Sequence, residues 1–547
     1  MSNSSFLKGA LALSAAAFIS KLLGLFYVIP LKHFAGDEGL ALYQAVFPIY
    51  NTLLILAVSG IPIALSKLIS EELRQGRMAE VHNITRSAIR MMMVVAISGF
   101  FVFYQGAAPI ARWIGNEDTR LSIQALAFAM LLVPFVAILR GYFYGYQRMR
   151  IAAVSQVVEQ LVRVSLMIGL VYWFVREGRD MAAVASGAAW GSFFGLIVSL
   201  FLLVIAFLST RKKLQAVTHR KEAIQRGYGW RIVKIAIPVS FSTLMLPVLG
   251  MVDSVTIINL LKSSGISEAV STIEFGLYSR GVPIVQFSAF YATGLAVAVV
   301  PALASASSSE ERGKQIYQTI KITFLIGVPA SIGMMVIAEP LNMLFYGNSQ
   351  GSQALIVLSA STFFLSLAIT ASGLLQGLNR SIWPAVFLLI GVLVKLVGNS
   401  LLVPRYGIIG AAYSTLFTYG CISLLCLQAV VRFHDRPLIP GRQVGRWLAP
   451  SICMGLVLAC AMAEFLKVVP VLESSRLFSF YEVFTLIVVG LISYGLALLF
   501  FHVVTWREVL RLLEKRLRGR REQSGVSFPN EYDVAHVHEK KDGTKGE

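Results

Sequence analysis

Ionisable side chains interrupt stretches that are otherwise apolar enough to cross a membrane: Lys21, Glu159, Arg163, Asp253, Arg280, Lys395 and Glu464. An ionisable group inside a span costs free energy, so its default reading is functional. Glu159 and Arg163 are four apart, which puts them on one helix face where they can neutralise each other. Lys395 has no acid within a turn, only Asn399 four residues on, and is expected to line a cavity. Lys21 is expected either to line the same cavity or to pair with Asp253. Asp253 lies in a span broken by Pro238, Pro247 and Gly250, and reads as a cation or proton site or as the partner of Lys21. Arg280 opens its span, where it either faces the cavity or snorkels to the outer interface. Glu464 carries no strong case for function. A cavity with several cations and few acids suits phosphate, which Lys and Arg hold through charge-assisted hydrogen bonds that strengthen in a low-dielectric cleft.

Other chemistries are absent from the sequence. It has no phosphate-cradling G-x-x-x-x-G-K-[ST] loop, no H-E-x-x-H and no nucleophile elbow, and its seven histidines are scattered. No enzyme activity, metal or cofactor is expected. The four cysteines sit in apolar helical stretches at spacings that suit neither zinc nor a disulfide framework. Without an ATPase insert, movement across the membrane has to be driven by H+, Na+, the membrane potential or consumption of the substrate.

The elements that position these residues follow from composition and repetition. The 547 residues are 56% hydrophobic and 14% charged, far below the roughly one-quarter charged of soluble domains. Apolar stretches of spanning length recur about fourteen times. The first, after Lys8, reads as an uncleaved helix because it outruns a signal-peptide core and contains Lys21. LRGYFYGYQR (Leu139 to Arg148) is answered by ASGLLQGLNR (Ala371 to Arg380). The same offset of about 232 positions carries Gly115-Asn116 onto Gly347-Asn348 and Arg163 onto Lys395. Six spans per copy is an even number, so the copies are expected as parallel repeats with a midplane site where they meet. Lys and Arg collect in the even-numbered connectors and the tail, which places both termini in the cytoplasm. The net charge of +19 reads as this topology signal plus affinity for anionic lipids, not as nucleic-acid binding.

Three stretches carry a resemblance: GDEGLALYQAVFPIYNTLLILAVSGIPIALSKLISE (Gly36 to Glu71), LRGYFYGYQRM with SQVVEQLVRVS, and LYSRGVPIVQFSAFYATGLAVAVVPALASA (Leu277 to Ala306). They resemble the stage V sporulation protein B and YtgP-like oligosaccharide flippases, related to the MurJ-type lipid II flippases of the multidrug/oligosaccharidyl-lipid/polysaccharide (MOP) exporter superfamily. The resemblance runs over nearly the whole chain. It implies a V-shaped pair of six-helix lobes around a cationic cavity, and a groove for a polyprenyl tail formed by the last two helices. It also implies that Lys21 and Arg280 occupy positions of cavity cations. Two further family arginines fall near Tyr27 and Asn51 here, and Lys395 is a candidate to restore one missing cation.

The reading is therefore an all-α integral membrane protein of about fourteen transmembrane helices. A six-helix lobe over 1–210 is joined by a basic cytoplasmic linker, 211–231, to a second lobe over 232–433. Two extra helices over 434–506 and a basic amphipathic, then disordered, tail over 507–547 follow. The expected activity is that of a monomeric flippase in the bacterial cytoplasmic membrane, with Lys21, Arg280 and Lys395 holding the pyrophosphate of a polyprenyl-linked glycan. Asp253, Glu159 and Arg163 are the candidate coupling or salt-bridge residues. A cation-coupled multidrug exporter of the same fold and a non-transporting scaffold for envelope synthesis are the alternatives.

Overall fold

The computed structural model describes residues 3–215, 227–434, 441–468 and 476–503. The tail from 507 and most of the basic linker lie outside these residues. The first copy of the repeat contains α1 (Asn3–Phe26), α2 (Val28–Val58), α3 (Ile61–Arg74), α4 (Met78–Gln105), α5 (Ala107–Ile114), α6 (Arg120–Gly145), α7 (Met149–Arg176) and α8 (Met181–Gln215). The second contains α9 (Tyr228–Thr243), α10 (Met245–Ser263), α11 (Glu268–Ser288), α12 (Phe290–Ser305), α13 (Ser309–Val336), α14 (Ala338–Tyr346), α15 (Ser352–Gly377) and α16 (Ile382–His434). Two further helices, α17 (Gly441–Val468) and α18 (Arg476–Phe500), pack against each other and against α13 and α14.

Among the described residues, twelve helical segments are long and apolar enough to cross a bilayer. The sequence suggested about fourteen spans; the two longest of the twelve segments, Ala12–Arg74 and Ile382–Phe433, each run through a bend. The 53 residues of α16 would extend about 80 Å as one rod, well over twice a hydrocarbon core of about 30 Å. They do not form a rod. Gly407 takes φ 58° and ψ −139°, a backbone region essentially restricted to glycine. The chain folds back there, so Gly398 packs on Ser414 and Gly391 on Ile422. Gly36, at φ 66° and ψ −169°, bends α2 in the same manner.

The internal repeat is present in three dimensions. Helices α5 and α14 both end on a left-handed glycine, Gly115 (φ 93°) and Gly347 (φ 74°). After α6 and α15 come Gln147 and Asn379, with φ of 55° and 59°. The following amides, of Arg148 and Arg380, each return 2.8 Å to a carbonyl, Phe143 O and Leu375 O. Gly141 lets α6 lie against α3, since a Cβ there would sit 2.8 Å from Pro62 Cα; Gly373 lets α15 approach Ala296 of α12 equally closely. Small residues at such crossings are how membrane helices gain packing contacts without a hydrophobic drive.

The lobes meet where α2 packs on α10 and α11, and α9 crosses to lie on α3 and α4. Large apolar side chains such as Val94, Phe201, Leu389 and Leu491 are exposed, as lipid-facing surfaces require. Buried positions are rich in Ala, Ser and Thr. The serine and threonine hydroxyls are largely returned to the preceding helical turn, as with Thr323 to Thr319 O and Thr370 to Ser366 O.

Candidate functional site

Lys21 is exposed and makes no hydrogen bond or ion pair with the described residues. Its place on α1 is fixed by its neighbours. Phe18 reaches the rings of Phe287 and Phe290 in the second lobe, at 6.3 and 6.0 Å. Gly24 faces Gln160 of α7. At about 100° per residue, Lys21 falls midway along the arc between these two directions. Its ammonium is therefore presented at the boundary between α7 and the second lobe. The alternative of a pair with Asp253 does not occur.

Arg280 neither snorkels nor stands open. It is 1% exposed. Its Nε lies 2.7 Å from Asp37 Oδ1, with a second contact from Nη2 to the same oxygen. Nη1 donates to Asn348 Oδ1 at 2.9 Å, and the guanidinium lies over the Tyr346 ring at 4.9 Å. Asp37 follows the bend at Gly36, and Asn348 follows the left-handed cap at Gly347, so two irregular backbone positions deliver the partners. The Asp37 contact crosses between lobes. Other polar bridges cross at the same end: Lys32 Nζ to Tyr346 O at 2.7 Å, Asn116 Nδ2 to Thr272 Oγ1 at 2.8 Å, and Lys262 Nζ to Gly115 O at 2.9 Å. At the opposite end, α9 takes part in weaker links, Ser59 Oγ to Ser240 Oγ at 3.1 Å and Tyr228 Oη to Glu72 Oε1 at 3.4 Å.

Lys395 is buried, and its partner is Asp253, at 2.9 Å. The acid comes from α10, not from within a turn of Lys395, so local spacing could not show it. Asp253 also accepts from Tyr278 Oη at 2.9 Å and Asn399 Nδ2 at 3.0 Å, while Lys395 contacts Thr415. The group lies within the second lobe, beside a small cavity of about 60 Å³ lined by Asp253, Tyr278, Gln44 and Thr415.

The expected Glu159–Arg163 pair is replaced by a different one. Glu159 Oε2 is taken by Arg140 Nη2 of α6 at 2.7 Å, with Ser155 and Ser199 completing the arginine's contacts at 3.2 Å. Arg163 turns instead to the Tyr43 hydroxyl, 2.8 Å away, and to the Phe47 ring at 4.8 Å. An i,i+4 spacing only brings side chains within reach; here a third helix offers the carboxylate a planar fork and α2 offers the second arginine an aromatic face. Arg140 thus lies within a helix long and apolar enough to cross a bilayer, Glu117–Gly145, and not in the connector after it. Arg140, Glu159 and Arg163 line a cavity of about 230 Å³ inside the first lobe, together with Tyr50, Asn51 and Ser192.

Sequence reasoning missed Asp37, Arg140, Asn348 and Tyr278. The Gly-Asn pair at 347–348 was visible as a repeat signature but not as a ligand of Arg280, and Asp37 lies in a resemblance stretch without standing out by type. Tyr278 carries no sequence signal, since its phenol matters only through contacts with Asp253 and Thr415.

The family model for polysaccharide biosynthesis proteins matches residues 6–286, and the MatE model matches 238–401. The membrane protein YabM of Bacillus subtilis is 33% identical over 77% of this chain and 79% of its own length. Stage V sporulation protein B of Bacillus subtilis is 28% identical over 78% of this chain and 83% of its own. A solved structure of the lipid II flippase MurJ in an inward closed conformation superposes with a TM-score of 0.66 at 14% identity, covering 91% of this chain and 100% of that one. The fold, the internal repeat and these matches agree: the chain belongs to the polysaccharide biosynthesis protein family and is similar to stage V sporulation protein B and, in fold, to MurJ.

Proposed function

We propose that this multi-pass membrane protein carries a polyprenyl-pyrophosphate-linked saccharide from the inner to the outer leaflet of the cytoplasmic membrane by alternating access, with both termini cytoplasmic. The observation that carries this reading is the bond between Arg280 and Asp37. Among the described residues, the only carboxylate holding this buried guanidinium belongs to the other lobe. Separation of the lobes at that end uncovers a cation, whereas Lys21 already presents one at the lobe boundary. Each arrangement of the lobes thus offers the pyrophosphate a positive group, and exchange of Asp37 for phosphate at Arg280 links opening to the cargo. Lys395 joins only when Asp253 releases it, so protonation or ion binding at Asp253 is the coupling step, with H+, Na+ and the membrane potential as candidate drives.

The test is complementation of a bacterial strain depleted of its lipid II flippase. Wild type is expected to rescue growth. Lys21→Ala and Arg280→Ala are expected to lose rescue while still reaching the membrane, and Asp253→Asn to slow it. Rescue by both cation variants at wild-type levels contradicts the assignment.

A further inference from the structure

The two lobes hold equivalent polar sites of opposite balance. An offset of about 232 positions relates Arg163 to Lys395 and, on the helices packed beside them, Lys21 of α1 to Asp253 of α10. In the second lobe the acid therefore neutralises the cation, 2.9 Å away. The first lobe has a lysine where that acid stands, and among the described residues the carboxylate lining its cavity, Glu159, is committed to Arg140. The cavity of about 230 Å³ is thus lined by two guanidinium groups and one carboxylate, and Arg163 has no ion-pair partner among the described residues. Arg163 keeps a buried Nε with no acceptor, and Ser192 Oγ, on a side chain 4% exposed, also lacks a partner. The Asn51 amide lines the same space. An uncompensated charge at this depth is expensive, so a counter-ion is the partner that this surplus demands. Directional donors on several sides suit an anion with several oxygens better than a halide.

We infer that the cavity inside the first lobe binds a phosphate-type oxyanion, with Arg163 as its main ligand and Ser192 and Asn51 as further donors. The site is separate from the Arg280–Asp37 contact and does not depend on which cargo is flipped. Its ligand is either a free oxyanion or the diphosphate of a lipid.

The experiment is equilibrium binding and thermal unfolding of the purified full chain with two probes, inorganic pyrophosphate and undecaprenyl pyrophosphate in micelles. Saturable binding with a raised Tm is expected. Arg163→Gln should weaken it roughly tenfold to hundredfold, the scale of one charged hydrogen bond. Arg163→Lys should weaken it less, and Ser192→Ala only a few-fold. Binding of inorganic pyrophosphate makes the ligand a free oxyanion, and binding of the lipid alone makes it a headgroup; either supports the site. If wild type binds neither probe, or if Arg163→Gln and Ser192→Ala both bind as wild type does, the inference is overturned. Should Arg163→Gln fail to fold, Arg163→Lys and Ser192→Ala decide by the same criterion. The readout needs no transport, so a protein that binds but does not flip polyprenyl-pyrophosphate-linked saccharides in proteoliposomes refutes the flippase reading and leaves this site standing.

Discussion

At the scale of single residues, the account rests on intramembrane charges and on which partner each has found. Removing one member of a buried pair costs about 3–5 kcal/mol, because it strands the other charge, whereas replacing both by apolar groups is often neutral. Asp253→Leu is therefore expected to lower the Tm of the purified protein sharply, and Lys395→Met to do the same. The double variant Asp253→Leu/Lys395→Met should recover most of the loss, so strictly additive losses in the cycle contradict the pairing. The residue types were legible in the sequence: Lys21, Arg163, Asp253, Arg280 and Lys395 stand out in apolar stretches. Their partners were not. Asp253 and Lys395 lie 142 positions apart in the chain and Asp37 and Arg280 lie 243 apart, and helical spacing speaks only for neighbours one turn away. Glu159 and Arg163 satisfied that local rule and still separated, because Arg140 and the aromatic face of α2 competed for them.

At the scale of elements, bends and close crossings place these groups. Gly407→Ala puts a Cβ on a backbone conformation that costs about 1–3 kcal/mol; the predicted result is a lower Tm and loss of the antiparallel packing that sets Lys395 beside Thr415. Gly141→Leu and Gly373→Leu push α6 from α3 and α15 from α12, and each is expected to cost at least the 1–3 kcal/mol or so typical of overpacking. Thermal unfolding in detergent checks all three, and wild-type stability for Gly141→Leu contradicts the close approach to Pro62. The sequence showed the glycines as a matched pair at a fixed offset, and this was enough to find the repeat. It did not show that Gly36 and Gly407 reverse or bend the chain inside continuous apolar stretches, since neither sits in a polar turn.

At the scale of the whole molecule, two lobes touch through exchangeable polar bridges at one end and through α9 at the other. Asp37→Ala removes the carboxylate that holds Arg280 across the boundary. Spin-label distances between the lobes at that end are expected to lengthen and broaden in this variant; unchanged distances contradict a gating role. Hydropathy and the repeat made the two-lobe architecture readable, whereas the gate depends on contacts between copies that no single stretch encodes. The most direct measurement is flipping in sealed proteoliposomes of a labelled undecaprenyl-pyrophosphate-linked saccharide, read by its accessibility to an external probe over time. The account predicts protein-dependent flipping that falls at least tenfold in Lys21→Ala and Arg280→Ala at equal reconstitution. Flipping that is absent from well-folded wild type, or undiminished in both variants, contradicts it.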